Sequence, residues 1–127
     1  MFRMTVKTQF SAAHQIRGYP GPCCQLHGHN YEVVVELSGD ELDDLGMLID
    51  YSDVKRALAE VLQPLDHAYL NDVEPFTTVN PTSEELARLI FHRLRDALLA
   101  TDDLRRRIHL REVVIFESNR QGVGYGE

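Results

Sequence analysis

The chain has 127 residues, of which 43% are hydrophobic and 26% are charged, as is usual for one soluble globular domain. Its 13 basic and 20 acidic residues give a net charge of −7, which argues against general nucleic-acid binding because that needs basic surface to neutralise phosphates. No apolar run approaches the roughly 20 residues of a membrane span, so no membrane partner is expected. The two cysteines, Cys23 and Cys24, are adjacent and cannot build a disulfide framework, which favours a cytoplasmic location.

Two strands are predicted first. Residues 4–14 alternate, and one side of this strand carries Met4, Val6, Phe10, Ala12 and His14. Residues 29–37 alternate in the same way, with His29, Tyr31, Val33, Val35 and Leu37 on one face. The stretch "RGYPGPCCQ" between them is rich in Gly and Pro and is predicted to be a loop.

Two helices and two more strands follow. The first helix is predicted to be capped by Ser52 and ended by Pro64, with an apolar stripe of Val54, Ala57, Leu58, Val61, Leu62 and Leu65. The second opens where Thr82 and Glu85 have capping-box spacing, and its stripe is Leu86, Ile90, Leu94 and Leu98. The runs "IHLREVVIFES" and "GVGYGE" predict the last two strands.

The element order ββααββ predicts an α+β fold over residues 1–127. In it, a four-stranded antiparallel sheet carries two helices on one face. The edges of such a sheet stay open, which favours self-association.

Three histidines are the first candidates for chemistry. His27 and His29 are two residues apart and therefore share a strand face. If the first two strands pair as a hairpin, His14 lies beside them. Three imidazoles suit Zn²⁺ and leave its fourth position open to water or substrate, which is typical of a catalytic site.

Other interpretations of these residues are open. An HxH pair is often incidental, and His14 would serve equally well as a satisfied polar residue at a strand end. The cysteines offer a further alternative, because Cys and His together also form closed, structural zinc sites.

Several segments, taken in order, resemble a known family. "FSAAH", "CCQLHGHNYEV", "LDHAYLND", "NPTSEELA" and "FES" are similar to those of 6-pyruvoyltetrahydropterin and 6-carboxytetrahydropterin synthases, and they span nearly the whole chain. "LDHAYLND" and "NPTSE" look more like the bacterial 6-carboxytetrahydropterin synthases of the queuosine pathway.

The resemblance implies a tunnelling fold that oligomerises into a barrel, with a homohexamer built from two trimers and active sites between subunits. It implies that the metal ligands of a zinc site are His14, His27 and His29. The implied catalytic residues are Cys23, Asp66 and His67, and the implied substrate-binding residues are Glu117, Thr82 and Ser83. The implied partner is a small pterin triphosphate.

Each of these residues also has a plain interpretation. Asp66 and His67 follow a helix, where a turn residue and a surface histidine are common, and Glu117 fits an ordinary strand end. Thr82 and Ser83 suit a helix cap, and "RRR" at 105–107 suits a solvated turn. Cys24 stands where relatives often have glycine, so the local loop geometry and the identity of the working thiol stay open.

The function that these patterns favour is zinc-dependent conversion of 7,8-dihydroneopterin triphosphate to 6-carboxy-5,6,7,8-tetrahydropterin. One alternative is 6-pyruvoyltetrahydropterin synthase activity, which resolves the side chain differently. A second is a non-catalytic, zinc- and pterin-binding oligomeric module.

Overall fold

Two long, fully paired strands form the centre of the sheet. The computed structural model describes residues 1–21 and 24–127. Strand β1 is Phe2–His14 and β2 is His27–Gly39, and their antiparallel register runs from the pair Phe2 and Gly39 to the pair His14 and His27. The predicted period-two strands are thus confirmed.

The remaining elements surround this hairpin. They are helix α1 (Tyr51–Leu62), strand β3 (Ala68–Tyr69), helix α2 (Ser83–Leu98), helix α3 (Asp102–Arg107), strand β4 (His109–Ser118) and strand β5 (Gln121–Tyr125). A short 3₁₀ helix, Leu70–Asp72, follows β3. Among the described residues, no helix has both the length and the apolar character needed to cross a bilayer.

The sheet has five strands in the order β3-β1-β2-β4-β5. β3 pairs with β1 in parallel, whereas the other pairs are antiparallel. The prediction of four strands, all antiparallel, is therefore wrong, because β3 is a fifth strand at the edge and pairs in parallel. Two residues are too few to show a hydrophobic period, and β3 forms only because β1 offers Ala12 and Ala13 as partners.

The core lies between one face of the sheet and the helices. Alternate residues of the central strands are fully buried, among them Tyr31, Val33, Val35, Val113 and Ile115. The predicted stripes of both helices pack against them, and Leu58, Leu86, Ile90 and Leu94 are each at most 1% exposed. The predicted α+β class is therefore confirmed, but the described residues form three helices rather than the predicted two.

Helix α1 begins two residues earlier than predicted. Asp50, not Ser52, is its N-cap, and the Asp50 carboxylate accepts from the Ser52 backbone N–H at 2.8 Å. A carboxylate is as good a cap as a hydroxyl and also favours the positive end of the helix. The helix ends at Leu62, just before Pro64, as predicted.

Helix α2 begins as predicted, since Thr82 is its N-cap and the Thr82 hydroxyl accepts from the Glu85 N–H at 3.2 Å. The run "RRR" is not a turn but the last turn of α3. Thr101 caps α3, and its first-turn aspartates pair with the arginines, which suits the helix dipole at both ends.

Candidate metal centre and adjoining pocket

The three predicted metal-ligating histidines converge at the end of the β1–β2 hairpin. His14 is directly opposite His27, and His29 is opposite Ala12, so all three side chains share the helix-covered face. One ring nitrogen from each lies within 4.8 Å of the others. Period-two spacing and hairpin pairing are sufficient to produce this cluster.

Hydrogen bonds fix the orientation of two of the rings. Nδ1 of His14 lies 2.8 Å from the Pro81 carbonyl oxygen, and Nδ1 of His27 lies 2.8 Å from the Gln25 carbonyl oxygen. A carbonyl accepts only, so each Nδ1 carries the proton and each Nε2 presents a lone pair. These two Nε2 atoms face each other at 2.9 Å, a distance that a shared proton or a bound metal ion would stabilise.

The third ring adds another open nitrogen. His29 Nε2 is buried and has no hydrogen-bond partner among the described residues. Burial lowers the pKa of His14 and of His29, so both rings are held neutral, the form that binds metals. Burial also raises the pKa of the nearby Tyr31 phenol, which keeps its proton.

The cluster therefore fits a metal ion. Three imidazoles with converging Nε2 atoms are the donor set of an open zinc site, and carbonyls orient the rings of His14 and His27 from behind. Cys24, the cysteine that the structure describes, is exposed and is not a member of the cluster.

A carboxylate extends the site on one side. Glu117 Oε2 lies 3.8 Å from His29 Nε2, and Glu117 Oε1 accepts from the Ser83 hydroxyl at 2.8 Å. The pocket there has a volume of about 260 Å³ and is lined by Ile16, Thr82, Ser83, Glu84, Glu117, Gln121, Gly122 and Val123. The three predicted substrate-binding residues thus line one pocket beside the histidines.

Asp66 and His67 lie elsewhere, along the outer edge of β1. The Ser11 N–H donates to Asp66 Oδ1 at 3.0 Å, and this bond is the main reason why the pKa of Asp66 is lowered. His67 Nδ1 lies 2.9 Å from the same Asp66 oxygen, and the backbone of His67 has a φ of 60°. A non-glycine residue in this left-handed region is strained and is held there by its surroundings.

His67 of this pair lines a different cavity. A cleft of about 490 Å³ is lined by Ser11, Ala12, Ala13, Gly28, His29, Asn30, His67, Ala68 and Tyr69. Ser11 and Ala13 alternate along β1 with the buried Ala12 and His14, so the cleft lies mainly on the opposite face of the sheet. His29 lines this cleft together with His67, whereas His14 and His27 are not among its lining residues.

Cys23, the predicted catalytic thiol, lies outside the described residues. The backbone N–H of Cys24 donates to the Gly21 carbonyl at 3.1 Å.

Two contacts of His14 are not predicted by the sequence patterns above. The Tyr31 hydroxyl lies 3.2 Å from His14 Nδ1, and its signal was available because it follows His29 by two residues on the same face. The Pro81 carbonyl left no such signal, since it is 67 residues from His14 and any residue type supplies a carbonyl.

The chain is similar in sequence to proteins of one known family. A family model described as "6-pyruvoyl tetrahydropterin synthase" matches residues 3–127. The 6-carboxy-5,6,7,8-tetrahydropterin synthase of Haemophilus influenzae is 35% identical over 131 residues, covering 83% of this chain and 91% of that protein. The protein of the same name from Bacillus subtilis is 37% identical over 99 residues, covering 74% and 66%.

The fold was compared with solved structures. The 6-pyruvoyl tetrahydropterin synthase of Caenorhabditis elegans superimposes with a TM-score of 0.85 at 29% identity, covering 99% of this chain and 95% of that one. The similarity therefore extends over the whole fold and includes the elements that carry the histidine cluster and Glu117.

Proposed function

Because the chain belongs to the 6-pyruvoyl tetrahydropterin synthase family, we propose that it acts on 7,8-dihydroneopterin triphosphate. With water, this substrate would yield 6-carboxy-5,6,7,8-tetrahydropterin, acetaldehyde and triphosphate, a step toward queuosine and other 7-deazaguanines. The names of the Haemophilus and Bacillus relatives support this product. The observation that carries the proposal is the histidine cluster with Glu117 at its side.

In this proposal His14, His27 and His29 hold Zn²⁺. Bound there, the ion would acidify the two side-chain hydroxyls of the substrate and polarise the carbonyl that develops beside them. The contribution of the protein is orientation: carbonyl groups fix the rings of His14 and His27 from behind, and burial keeps His14 and His29 neutral.

Glu117 is proposed to recognise the pterin ring. A carboxylate accepts two N–H groups at once, and the ring amino group and a ring N–H offer such a pair. The Ser83 hydroxyl already donates to Glu117 Oε1 and holds the carboxylate in place. Because the pocket adjoins His29, a ring bound to Glu117 would place its side chain toward the metal.

Proton transfer along the side chain is assigned to Cys23, with Asp66 and His67. A thiol beside a cation has a lowered pKa and serves as a base near neutral pH. Asp66 orients His67 through the 2.9 Å contact.

The position of this Asp66–His67 pair supports a shared active site. Since His67 lines a cleft that lies mainly on the other face of the sheet, the pair would serve the metal centre of a neighbouring subunit. We therefore propose a homohexamer, with residues 1–127 of each chain forming one tunnelling-fold domain and three sheets closing each barrel.

The decisive experiment is product analysis. Purified, zinc-loaded protein is incubated with 7,8-dihydroneopterin triphosphate, and the pterin product is identified by mass while acetaldehyde is trapped and measured. Equal amounts of 6-carboxytetrahydropterin and acetaldehyde are expected, with no turnover after zinc removal. 6-Pyruvoyltetrahydropterin without acetaldehyde would assign the alternative synthase activity, and binding without turnover would assign the non-catalytic module.

A further inference from the structure

Two asparagine side chains hold the chain just beyond the end of β1. Asn71 Oδ1 accepts from the Gln15 N–H at 2.9 Å, and Asn71 Nδ2 donates to the Gln15 carbonyl at 2.9 Å. Likewise, Asn80 Oδ1 accepts from the Arg17 N–H and Asn80 Nδ2 donates to the Arg17 carbonyl, both at 2.9 Å. Each side-chain amide thus bonds both the backbone N–H and the backbone carbonyl of one residue. We call each such pair of bonds a bracket.

The two brackets imitate a neighbouring strand. In a sheet, alternate residues of a strand offer their N–H and C=O to the same side, and Gln15 and Arg17 are such a pair. β3 pairs with β1 only at Ala12 and Ala13, and the asparagine amides satisfy the backbone farther along.

Neighbouring contacts reinforce both brackets. The Tyr69 hydroxyl donates to Gln15 Oε1 at 2.6 Å, and the Arg17 guanidinium donates to the Phe76 carbonyl at 2.7 Å. Asn71 is 6% exposed, so loss of its partners would leave buried polar atoms unsatisfied. The bracketed conformation is therefore strongly determined.

The brackets lie on either side of the bond that orients the first metal-ligating histidine. His14 immediately precedes Gln15, and Asn80 immediately precedes Pro81, whose carbonyl accepts from His14 Nδ1 at 2.8 Å. A shift of the chain at Gln15 would move the imidazole, and a shift at Asn80 would move the carbonyl. The same two amides thus fix both ends of one hydrogen bond.

We propose that Asn71 and Asn80 are positioning residues of the metal centre. They keep the Pro81 carbonyl against His14 Nδ1, which keeps the proton on Nδ1 and aims the Nε2 lone pair into the cluster. The proposal deepens the proposed function and rests on its metal site. It assigns a role to side chains that touch neither the metal-binding nitrogens nor the Glu117 pocket.

The first test measures zinc affinity by competition with a chelator. Asn80→Ala and Asn71→Ala are each expected to bind zinc roughly 10- to 100-fold more weakly than the unaltered protein, the usual scale for residues that orient a ligand from behind. Asn80→Asp keeps the acceptor for the Arg17 N–H and loses the donor, so an intermediate affinity is expected. Gln63→Ala removes an exposed amide just after α1 and serves as the matched control, with unchanged affinity.

The second test follows the His14 ring itself, in metal-free protein, by nitrogen NMR of the imidazole. The unaltered protein should show a protonated Nδ1 and an unprotonated Nε2, and Asn80→Ala should show a mixture of the two tautomers. This measurement stands even where zinc binding or pterin turnover is absent, which separates a failure of this inference from a failure of the proposed function.

The outcome that would overturn the inference is specific. Both alanine variants would lower the thermal midpoint of unfolding yet keep zinc affinity within twofold and His14 in a single tautomer. The amides would then stabilise the fold and nothing more. Asn80→Asp, which is nearly the same size as asparagine, supplies the same readouts should an alanine variant fail to fold.

Discussion

The Nε2 atoms of His14 and His27 face each other at 2.9 Å, and the Nδ1 atom of each ring donates to a carbonyl on the other side. A shared proton or a metal ion would relieve the repulsion between two lone pairs at this distance. The pair therefore suits a metal ion, and His29 Nε2 provides a third open nitrogen within reach.

Metal analysis is expected to give about one zinc per chain, bound by nitrogen alone. His27→Ala should lower zinc affinity by at least about 100-fold, because removing one of three ligands leaves two. His92→Ala, which alters a histidine beside Tyr125 and Glu127, is the control and should retain the metal. X-ray absorption that finds a sulfur ligand would contradict this prediction and would indicate a structural site.

The metal-free protein should lose stability as the pH falls. Burial lowers the pKa of His14 and of His29 in the folded state, so below about pH 6.5 the unfolded chain binds more protons than the folded one. The free energy of unfolding therefore falls as the pH drops through that value. Urea titrations at pH 7.5 and 5.5 in the presence of a chelator measure it.

A double variant lacking both buried rings, His14→Gln with His29→Gln, is the comparison for that experiment. Its stability should change less between the two pH values. An equal loss in both proteins would show that other groups cause the acid sensitivity.

Glu117 and Ser83 should affect pterin binding without affecting zinc. Glu117→Gln replaces one acceptor oxygen by a donor and is expected to lower kcat/KM roughly 100-fold, since a donor is then left facing the pterin N–H groups. Ser83→Ala, which frees the carboxylate but leaves it charged, should cost roughly tenfold, mostly in KM. Steady-state kinetics with parallel zinc analysis measure both.

Glu60→Gln, on the exposed side of α1, is the matched control for the charge change. It should behave as the unaltered protein does. If Glu117→Gln binds and turns over the substrate normally, Glu117 is an ordinary strand-end charge.

The two cysteines should not be interchangeable. Cys23 has the spacing to His27 that the family uses for its thiol, whereas Cys24 stands where relatives often have glycine. Cys23→Ala is expected to lower turnover by roughly 100-fold or more with unchanged zinc content, the usual scale for loss of a general base. Cys24→Ala should remain within a few-fold of the unaltered rate, and the opposite result would shift the assignment by one residue.

Self-association should be obligatory for activity. Light scattering at micromolar concentration is expected to report a hexamer, because the Asp66–His67 pair of one chain would serve the metal centre of another. A mixture of two inactive variants, His67→Ala and Cys23→Ala, should then regain part of the activity after the subunits are unfolded and reassembled together. An active monomer would contradict the shared site.

The histidine cluster could be predicted because its cause is local. Alternation puts His27 and His29 on one face, and hairpin pairing places His14 opposite His27. The position of Asn71 and Asn80 could not, since their bonds to Gln15 and Arg17 join residues 56 and 63 apart and depend on side-chain geometry. The left-handed backbone of His67 was equally inaccessible, because only the surrounding contacts impose it.

The start of α1 and the presence of α3 and β3 differ from the prediction for local reasons. Asp50 and Ser52 are both good caps two residues apart, and the choice depends on which one keeps an extended backbone. Helix α3 did leave a signal: Thr101 before two aspartates and three arginines is the charge order that a short helix prefers. Strand β3 left none, because it has only two residues.

The direct pairing of His14 with His27 also has a consequence for how the chain reaches its fold. A hairpin that slipped by one residue would send His14 and the HxH pair to opposite faces, and the three nitrogens would no longer meet. A cation that needs all three therefore binds only the correctly paired chain, and by mass action it draws the population toward that pairing. The ion that serves the chemistry would in this way also select the fold that holds it.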